Sequence, residues 1–89
     1  MKIRLLSVAL LLASLLARAE EVKLEQVPPE VRATIEQKVP RNEIESIERE
    51  DRHGNIVFEV EFEDADQNSQ GLLIAEDGRV IEEWQKSTP

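Results

Sequence analysis

The sequence predicts a small α+β domain in which one N-terminal amphipathic helix packs on an antiparallel β-meander of three to four strands. Two patterns of hydrophobic spacing support this prediction. Between positions 24 and 39 apolar residues recur every four positions, the spacing of one helix face. From position 56 the period becomes two, so the apolar residues share one face of a strand. A helix and a sheet that each have one apolar face form a two-layer domain.

The helix is expected over about Pro29–Lys38, with prolines marking both ends. Pro28 and Pro29 suit a first turn, where a backbone N–H would have no helical partner, and Pro40 cannot continue the helix. The residues between the apolar positions are mostly charged or polar, which indicates one buried face. That face consists of Val27, Val31, Ile35 and Val39.

The clearest strand signal follows in residues 56–63, where four apolar residues alternate with other residues: Ile56, Phe58, Val60 and Phe62. Residues 43–50 are predicted to form an edge strand with a bend, because Ile44 and Ile47 cannot face the same side of a regular strand. A turn at residues 51–55 joins these two strands.

The last hairpin is predicted from residues 71–75 and 79–84, after a polar loop at 64–70. Asp77-Gly78 between the two strands is a specific hairpin signal. Trp84 is expected to close the core beneath Val80, and the alternative is an exposed anchor for a partner.

The N-terminus has the three parts of a cleavable signal peptide, predicted over residues 1–19. A positive start is followed by an uncharged, leucine-rich run at 5–16, and Ala17 and Ala19 form the cleavage signature. A membrane anchor is the competing interpretation, but this run is shorter than the roughly 20 apolar residues that a spanning helix needs. We therefore expect a periplasmic or secreted domain at 20–84 without a membrane anchor, and a flexible tail at 85–89.

Charge restricts the class of partner. Without Lys2, Arg4 and Arg18, which belong to the predicted signal peptide, eight basic residues face 19 acidic ones, a net charge of about −11. Such an excess repels nucleic acid and favours a partner with a basic surface. The chain has no cysteine, so its fold depends on its core alone.

Four segments of the chain together resemble the PepSY domain family: Pro-Pro-Glu-Val at 28–31, Val39-Pro40, residues 55–62 and residues 77–81. The resemblance covers about residues 24–84 and implies a bacterial extracytoplasmic helix-plus-meander module. Such modules are related to propeptides of thermolysin-type proteases and, more remotely, to beta-lactamase inhibitory proteins, and are thought to restrain peptidases or to act as binding units. The family offers no catalytic residues to carry over. A single copy without an attached protease would act in trans.

No enzyme activity is expected, because nucleophilic catalysis needs an activated Ser, Thr or Cys beside a base. His53 is the only imidazole in the chain and lies in a predicted turn, where we interpret it as a solvated residue. No nucleophile signature surrounds any serine or threonine of the predicted domain.

The sheet face away from the helix is the candidate site for a protein partner. Strict alternation would expose Val57, Leu73 and Ile81 there, among the glutamates Glu59, Glu61, Glu63 and Glu83. Apolar patches with a charged rim can mark interfaces. The alternative is that scattered exposed aliphatics are normal and that the carboxylates only solvate this face.

The loop at 64–71 is the candidate cation site, since Asp64, Asp66 and Asn68 place oxygen ligands at alternate positions. The glycine and the bidentate glutamate of a calcium loop are missing, because Ser69 and Ala75 occupy those positions. An ordinary strand connection uses the same residue types. No cofactor is expected unless this loop binds calcium weakly.

Three functional hypotheses follow from the sequence. The first is a non-enzymatic extracytoplasmic binding module that restrains a peptidase or another envelope protein with a basic surface. The second is a weak calcium-binding envelope protein that uses the loop at 64–71. The third is a small stress or assembly factor whose charge serves solubility.

Overall fold

Five strands, one α-helix and one short 3-10 helix make up the structure, a computed structural model that describes residues 19–40 and 43–85. The sheet is antiparallel, with its strands in chain order, β1-β2-β3-β4-β5. A short 3-10 helix at Leu24–Gln26 precedes the α-helix. The elements are β1 (Ala19–Glu21), α1 (Pro29–Lys38), β2 (Ile44–Arg52), β3 (Asn55–Glu63), β4 (Ser69–Ala75) and β5 (Val80–Gln85).

The fold class needs one correction, because the meander of three to four strands predicted from the sequence is a sheet of five. The added strand, β1, pairs with β2 in the register Ala19↔Glu50 and Glu21↔Glu48. Its three residues carry no apolar alternation, so its place depends on backbone pairing that a hydrophobic pattern does not reveal. As a result, the part of β2 at Glu48–Glu50 is an interior strand and not the predicted edge.

The predicted signal peptide lies almost wholly outside the described residues, which begin at Ala19. Within the described ranges, no helix has both the length and the apolar character needed to span a bilayer.

Helix α1 has the predicted bounds, and its apolar stripe covers one side of the sheet. Val31 and Ile35 are fully buried, and the N–H of Val39 donates to the carbonyl of Ile35 (2.8 Å) where the helix ends. Each aliphatic side chain buried in this way contributes about 1.5–3 kcal/mol relative to exposure. The buried cluster consists of Leu24, Val27, Val31, Ile35, Val39, Ile47, Phe58, Val60, Phe62, Leu72 and Ile74.

The predicted bend in β2 is present as a β-bulge. Ile44 pairs with Phe62 and Ser46 pairs with Glu61, so Glu45 is an extra residue opposite β3. The extra residue lets Ile44 and Ile47, which differ in parity, both pack against the core.

The turn between β4 and β5 is hydrogen-bonded to the helix. The Thr34 hydroxyl donates to the carbonyl of Gly78 over 2.6 Å. Gly78 has a φ of +93°, and a Cβ at this position would lie 2.7 Å from the carbonyl oxygen of Glu30. Only glycine fits both the backbone conformation and the close approach of the helix.

Candidate functional site: the open face of the sheet

The side of the sheet opposite α1 is called the open face here. Strand alternation and register place seven glutamates on it: Glu21, Glu48, Glu50, Glu59, Glu61, Glu63 and Glu82. Among the described strand residues one basic residue, Arg52, shares this face. The other basic residues in the described ranges are Lys23, Arg32, Lys38, Arg49 and Arg79. The sheet therefore separates charge, with acid concentrated on the side away from the helix.

The glutamates are crowded because the register aligns them across strands. Glu21 stands opposite Glu48, which stands opposite Glu59, and the row continues through Leu73 to Glu82. Neighbouring strands are about 4.8 Å apart, and like charges directly opposite each other are destabilising. This row is the most strongly anionic line on the described surface of the sheet.

Glu59 shows the electrostatic effect of this crowding, since its pKa is raised above the ordinary value. The main cause is a side-chain hydrogen bond with Glu50, followed by partial burial and by the negative charges of Glu50, Glu48 and Glu61. A hydrogen bond between two carboxyl groups requires a proton on one of them. Arg52 offsets part of this charge, because its Nη2 lies 3.1 Å from Glu50 Oε1.

The predicted apolar patch is only partly present. Val57 and Leu73 lie on the open face but are 6% and 5% exposed, so the prediction that they are exposed is wrong. Each is flanked on both neighbouring strands, Leu73 by Glu59 and Glu82, and the aliphatic stems of long charged side chains can cover apolar surface. Ile81 is 51% exposed at a register shift in β5.

The five predicted partner-binding residues therefore fall into two groups. Glu59, Glu61 and Leu73 lie along the middle of the open face, where Glu59 and Leu73 form a direct cross-strand pair. Val57 and Ile81 line one groove at the end of the sheet next to the β4–β5 turn.

Strict alternation predicts Glu83 on this face, but Glu83 stands opposite the core residue Leu72, and the open face carries Trp84 instead. Trp84 was expected in the core beneath Val80, but it stands opposite Gly71 on the open face and is half-buried. A Cβ on Gly71 would collide with Trp84 Cε2, so the indole occupies the space above the glycine. The reason is the register shift between Leu73 and Ile74, which reverses the alternation of β5 after Val80. A glycine within a strand was the available signal for such a close approach.

The candidate calcium loop is held together by its own hydrogen bonds. Asp64 Oδ1 accepts the backbone N–H groups of Asp66 and Asn68, both at 2.9 Å, and Asp64 Oδ2 accepts Gln70 Nε2 at 2.8 Å. The bond from the Asn68 N–H is the main reason why the pKa of Asp64 is lowered, followed by the Gln70 side chain. In the described part of the chain no three His, Cys, Asp or Glu residues are grouped as metal ligands.

His53 lies where the sequence predicted it, in the turn between β2 and β3. It is exposed, with a φ of +55°, and it precedes Gly54 at +88° in a two-residue connection. Asp51 Oδ1 accepts the Gly54 N–H at 2.8 Å, which closes the turn. His53 is therefore a position of this turn with a positive φ.

Comparison with known proteins gave no matching family model, no matching curated protein and no matching solved structure. The resemblance to the PepSY family therefore stays a prediction from the sequence, and the function has to be argued from the geometry of the open face.

Proposed function

We propose that this chain is a non-enzymatic extracytoplasmic binding module whose open face binds a basic surface of another protein. The observation that carries the proposal is the separation of charge, with seven glutamates and one arginine on the open face of the described sheet. A peptidase or another envelope protein restrained in trans is the partner class that the PepSY resemblance implies. The predicted signal peptide supports an extracytoplasmic location.

The crowded carboxylates favour a cationic partner energetically. A carboxyl whose pKa is raised by its neighbours is less stable in its charged form than an isolated one. A basic side chain placed among Glu48, Glu50 and Glu59 would lower the energy of all three charges at once. Complementary charge of this kind speeds association and selects partners.

The shape of the face also suits a protein partner. The crossover from β1 to β2 contains α1 and lies on the opposite side of the sheet, and the connections between the later strands are short. In the part of the chain that the structure describes, the face is therefore made of strand side chains, which suits a broad contact.

The test compares two triple variants with the same loss of charge. The face variant carries Glu48→Gln, Glu59→Gln and Glu61→Gln, and the control carries Glu25→Gln, Glu36→Gln and Glu76→Gln at exposed positions outside the open face. Both are coupled to a support, exposed to an envelope extract and cross-linked, and the captured proteins are identified by mass spectrometry.

We expect a basic protein that is captured by the wild type and by the control, is lost with the face variant, and forms cross-links to the open face. Its capture should weaken as salt is raised, because exposed charges are screened within about 10 Å at 0.1 M salt. A partner that binds the face variant as well as it binds the wild type would refute the proposal.

A further inference from the structure

We propose that the side of β5 that faces away from β4, called the free edge here, pairs with an extended segment of the basic partner, which adds a strand to the sheet. This inference rests on the proposed function and specifies how the partner is held. Backbone hydrogen bonds at the free edge would position the partner beside the open face.

β5 is the last strand of the sheet. It pairs with β4, and among the described residues no strand pairs with its other side. Such a strand presents unpaired backbone N–H and C=O groups, which can pair with another chain. At the opposite border β1 offers three residues, whereas β5 spans six. The free edge of β5 therefore provides the longer row of backbone groups.

The hydrogen-bond pattern identifies the groups that point to the free edge. The N–H of Ala75 donates to the carbonyl of Arg79 over 2.8 Å, which makes these two residues a hydrogen-bonded pair. Hydrogen-bonded and non-hydrogen-bonded pairs alternate along an antiparallel ladder, so the backbone groups of Leu72 point to β3 and not to β5. Glu83 stands opposite Leu72, and its own N–H and C=O therefore point to the free edge. The same holds for Gln85, two residues further along β5.

Ile81 gives the free edge an apolar side chain. Among the described residues it is the large hydrophobic residue that is exposed, at 51%. It lies at the register shift of β5, so a regular added strand would pair with the part of β5 that follows it. A segment that continues past this point would cover Ile81, and the burial of apolar surface would stabilise the complex.

Charge determines which kind of segment can pair there. Glu82 and Glu83 are both exposed and lie on opposite sides of the sheet. Lys38 Nζ lies 3.4 Å from Glu83 Oε1, so the stronger attraction for a cation is expected at Glu82, on the open face. Like charges on neighbouring strands are destabilising and opposite charges are favourable. A basic segment therefore suits this edge better than a second copy of this chain, whose net charge is −8.

The first test uses three versions of one peptide in which lysine alternates with valine. One version is unmodified, the second is methylated on the backbone nitrogens of the lysines, and the third on those of the valines. All three carry the same charge, but the backbone groups of alternate residues point to opposite sides of a strand. Binding to the purified protein is measured by calorimetry. We expect one methylated peptide to bind like the unmodified peptide and the other to bind about ten-fold more weakly or worse, because it cannot donate hydrogen bonds to β5.

The second test is a matched pair of variants at Glu83. Glu83→Pro removes the N–H that points to the free edge, and a proline is tolerated in an edge strand where that group faces solvent. Glu83→Gln removes the same charge and keeps the N–H. Glu83→Pro should bind the unmodified peptide about five-fold more weakly than Glu83→Gln does. Circular dichroism checks the fold, and the methylated peptides provide the test if the proline variant does not fold.

The outcomes separate this inference from the proposed function. If the face variant loses the peptide while methylation and Glu83→Pro have no effect, the open face binds basic partners without the free edge, and this inference alone is wrong. Self-association of the protein that Glu83→Pro abolishes would also overturn it, because a second copy would then occupy the edge. If the wild type binds none of the three peptides, the proposed function fails together with it.

Discussion

Replacing Gly78 by alanine tests the contact between the helix and the β4–β5 turn. Two costs coincide at this position. A positive φ costs an ordinary L-residue about 1–2 kcal/mol, and the new Cβ would lie 2.7 Å from the backbone oxygen of Glu30. To relieve that contact the turn must move away from α1, which strains the 2.6 Å hydrogen bond from Thr34 to Gly78. Overpacking of this kind costs about 1–3 kcal/mol, and a lost hydrogen bond about 1 kcal/mol.

Gly54→Ala is the matched control, because Gly54 has nearly the same φ, +88°, and no atom within 4 Å of the Cβ position. It carries the backbone cost alone, and both variants share the same entropic change in the unfolded chain. Gly78→Ala should therefore destabilise the fold by about 1–3 kcal/mol more than Gly54→Ala. That difference is large for a domain of this size, whose total stability we expect to be about 3–5 kcal/mol.

The assay is urea denaturation followed by circular dichroism, with Trp84 fluorescence as an independent probe. The free energies of unfolding of the two variants are compared with that of the wild type. If Gly78→Ala and Gly54→Ala differ by less than about 0.5 kcal/mol, the close approach of Glu30 to the turn does not limit this position, and the reasoning is refuted.

The further predictions concern the open face and the loop at 64–68. Gly71→Ala should displace the indole, destabilise the fold by about 1–3 kcal/mol and shift the Trp84 emission to longer wavelength; unchanged emission would contradict the contact. Glu59→Gln should raise the free energy of unfolding at pH 7 by about 0.2–1 kcal/mol, because like charges across strands are destabilising. The folded state holds the Glu59 proton more tightly than the unfolded chain does, so the contribution of this group to the free energy of unfolding falls as pH rises from 4.5 through the raised pKa. Glu59→Gln should remove this pH dependence of the free energy of unfolding. The control Glu63→Gln, at a residue opposite Ser69, should keep it. Leu73→Ala should lower the free energy of unfolding by about 2–5 kcal/mol in a denaturation experiment. A decrease of less than about 0.5 kcal/mol would favour the exposed position of Leu73 that the sequence predicts. Calcium at about 1 mM should raise the Tm no more than magnesium does; a larger rise that Asp64→Asn abolishes would favour the calcium hypothesis.

The sequence predicted the secondary structure correctly where one hydrophobic spacing continued over several helical turns or several strand residues. The bounds of α1 and the core face of β3 follow directly from the four-residue and two-residue periods. The β2–β3 and β4–β5 turns follow from the glycines that allow a positive φ, Gly54 and Gly78.

The sequence predictions that the structure contradicts have one physical origin: the pairing of residues across strands depends on strand register and not on composition. The bulge at β5 reverses the face of Trp84, and a single extra residue has no signature in a hydrophobic pattern. The interaction of Glu50 with Glu59 likewise requires Glu48 to stand opposite Glu59, which depends on the length of the β2–β3 turn. The burial of Leu73 depends on neighbours from two other strands that the sequence does not bring together.

The order of the strands has a consequence for how the chain folds. Strands β2 to β5 form three pairs of consecutive strands, through connections of two, five and four residues. Such local pairings close quickly, in about 1–10 μs for an isolated hairpin. The pairing of β1 with β2 is expected to form later, because the helix lies between these two strands in the chain. With three paired residues, β1 is also the shortest strand of the sheet. A force applied to the N-terminus should therefore detach β1 first and leave the four-stranded meander in place.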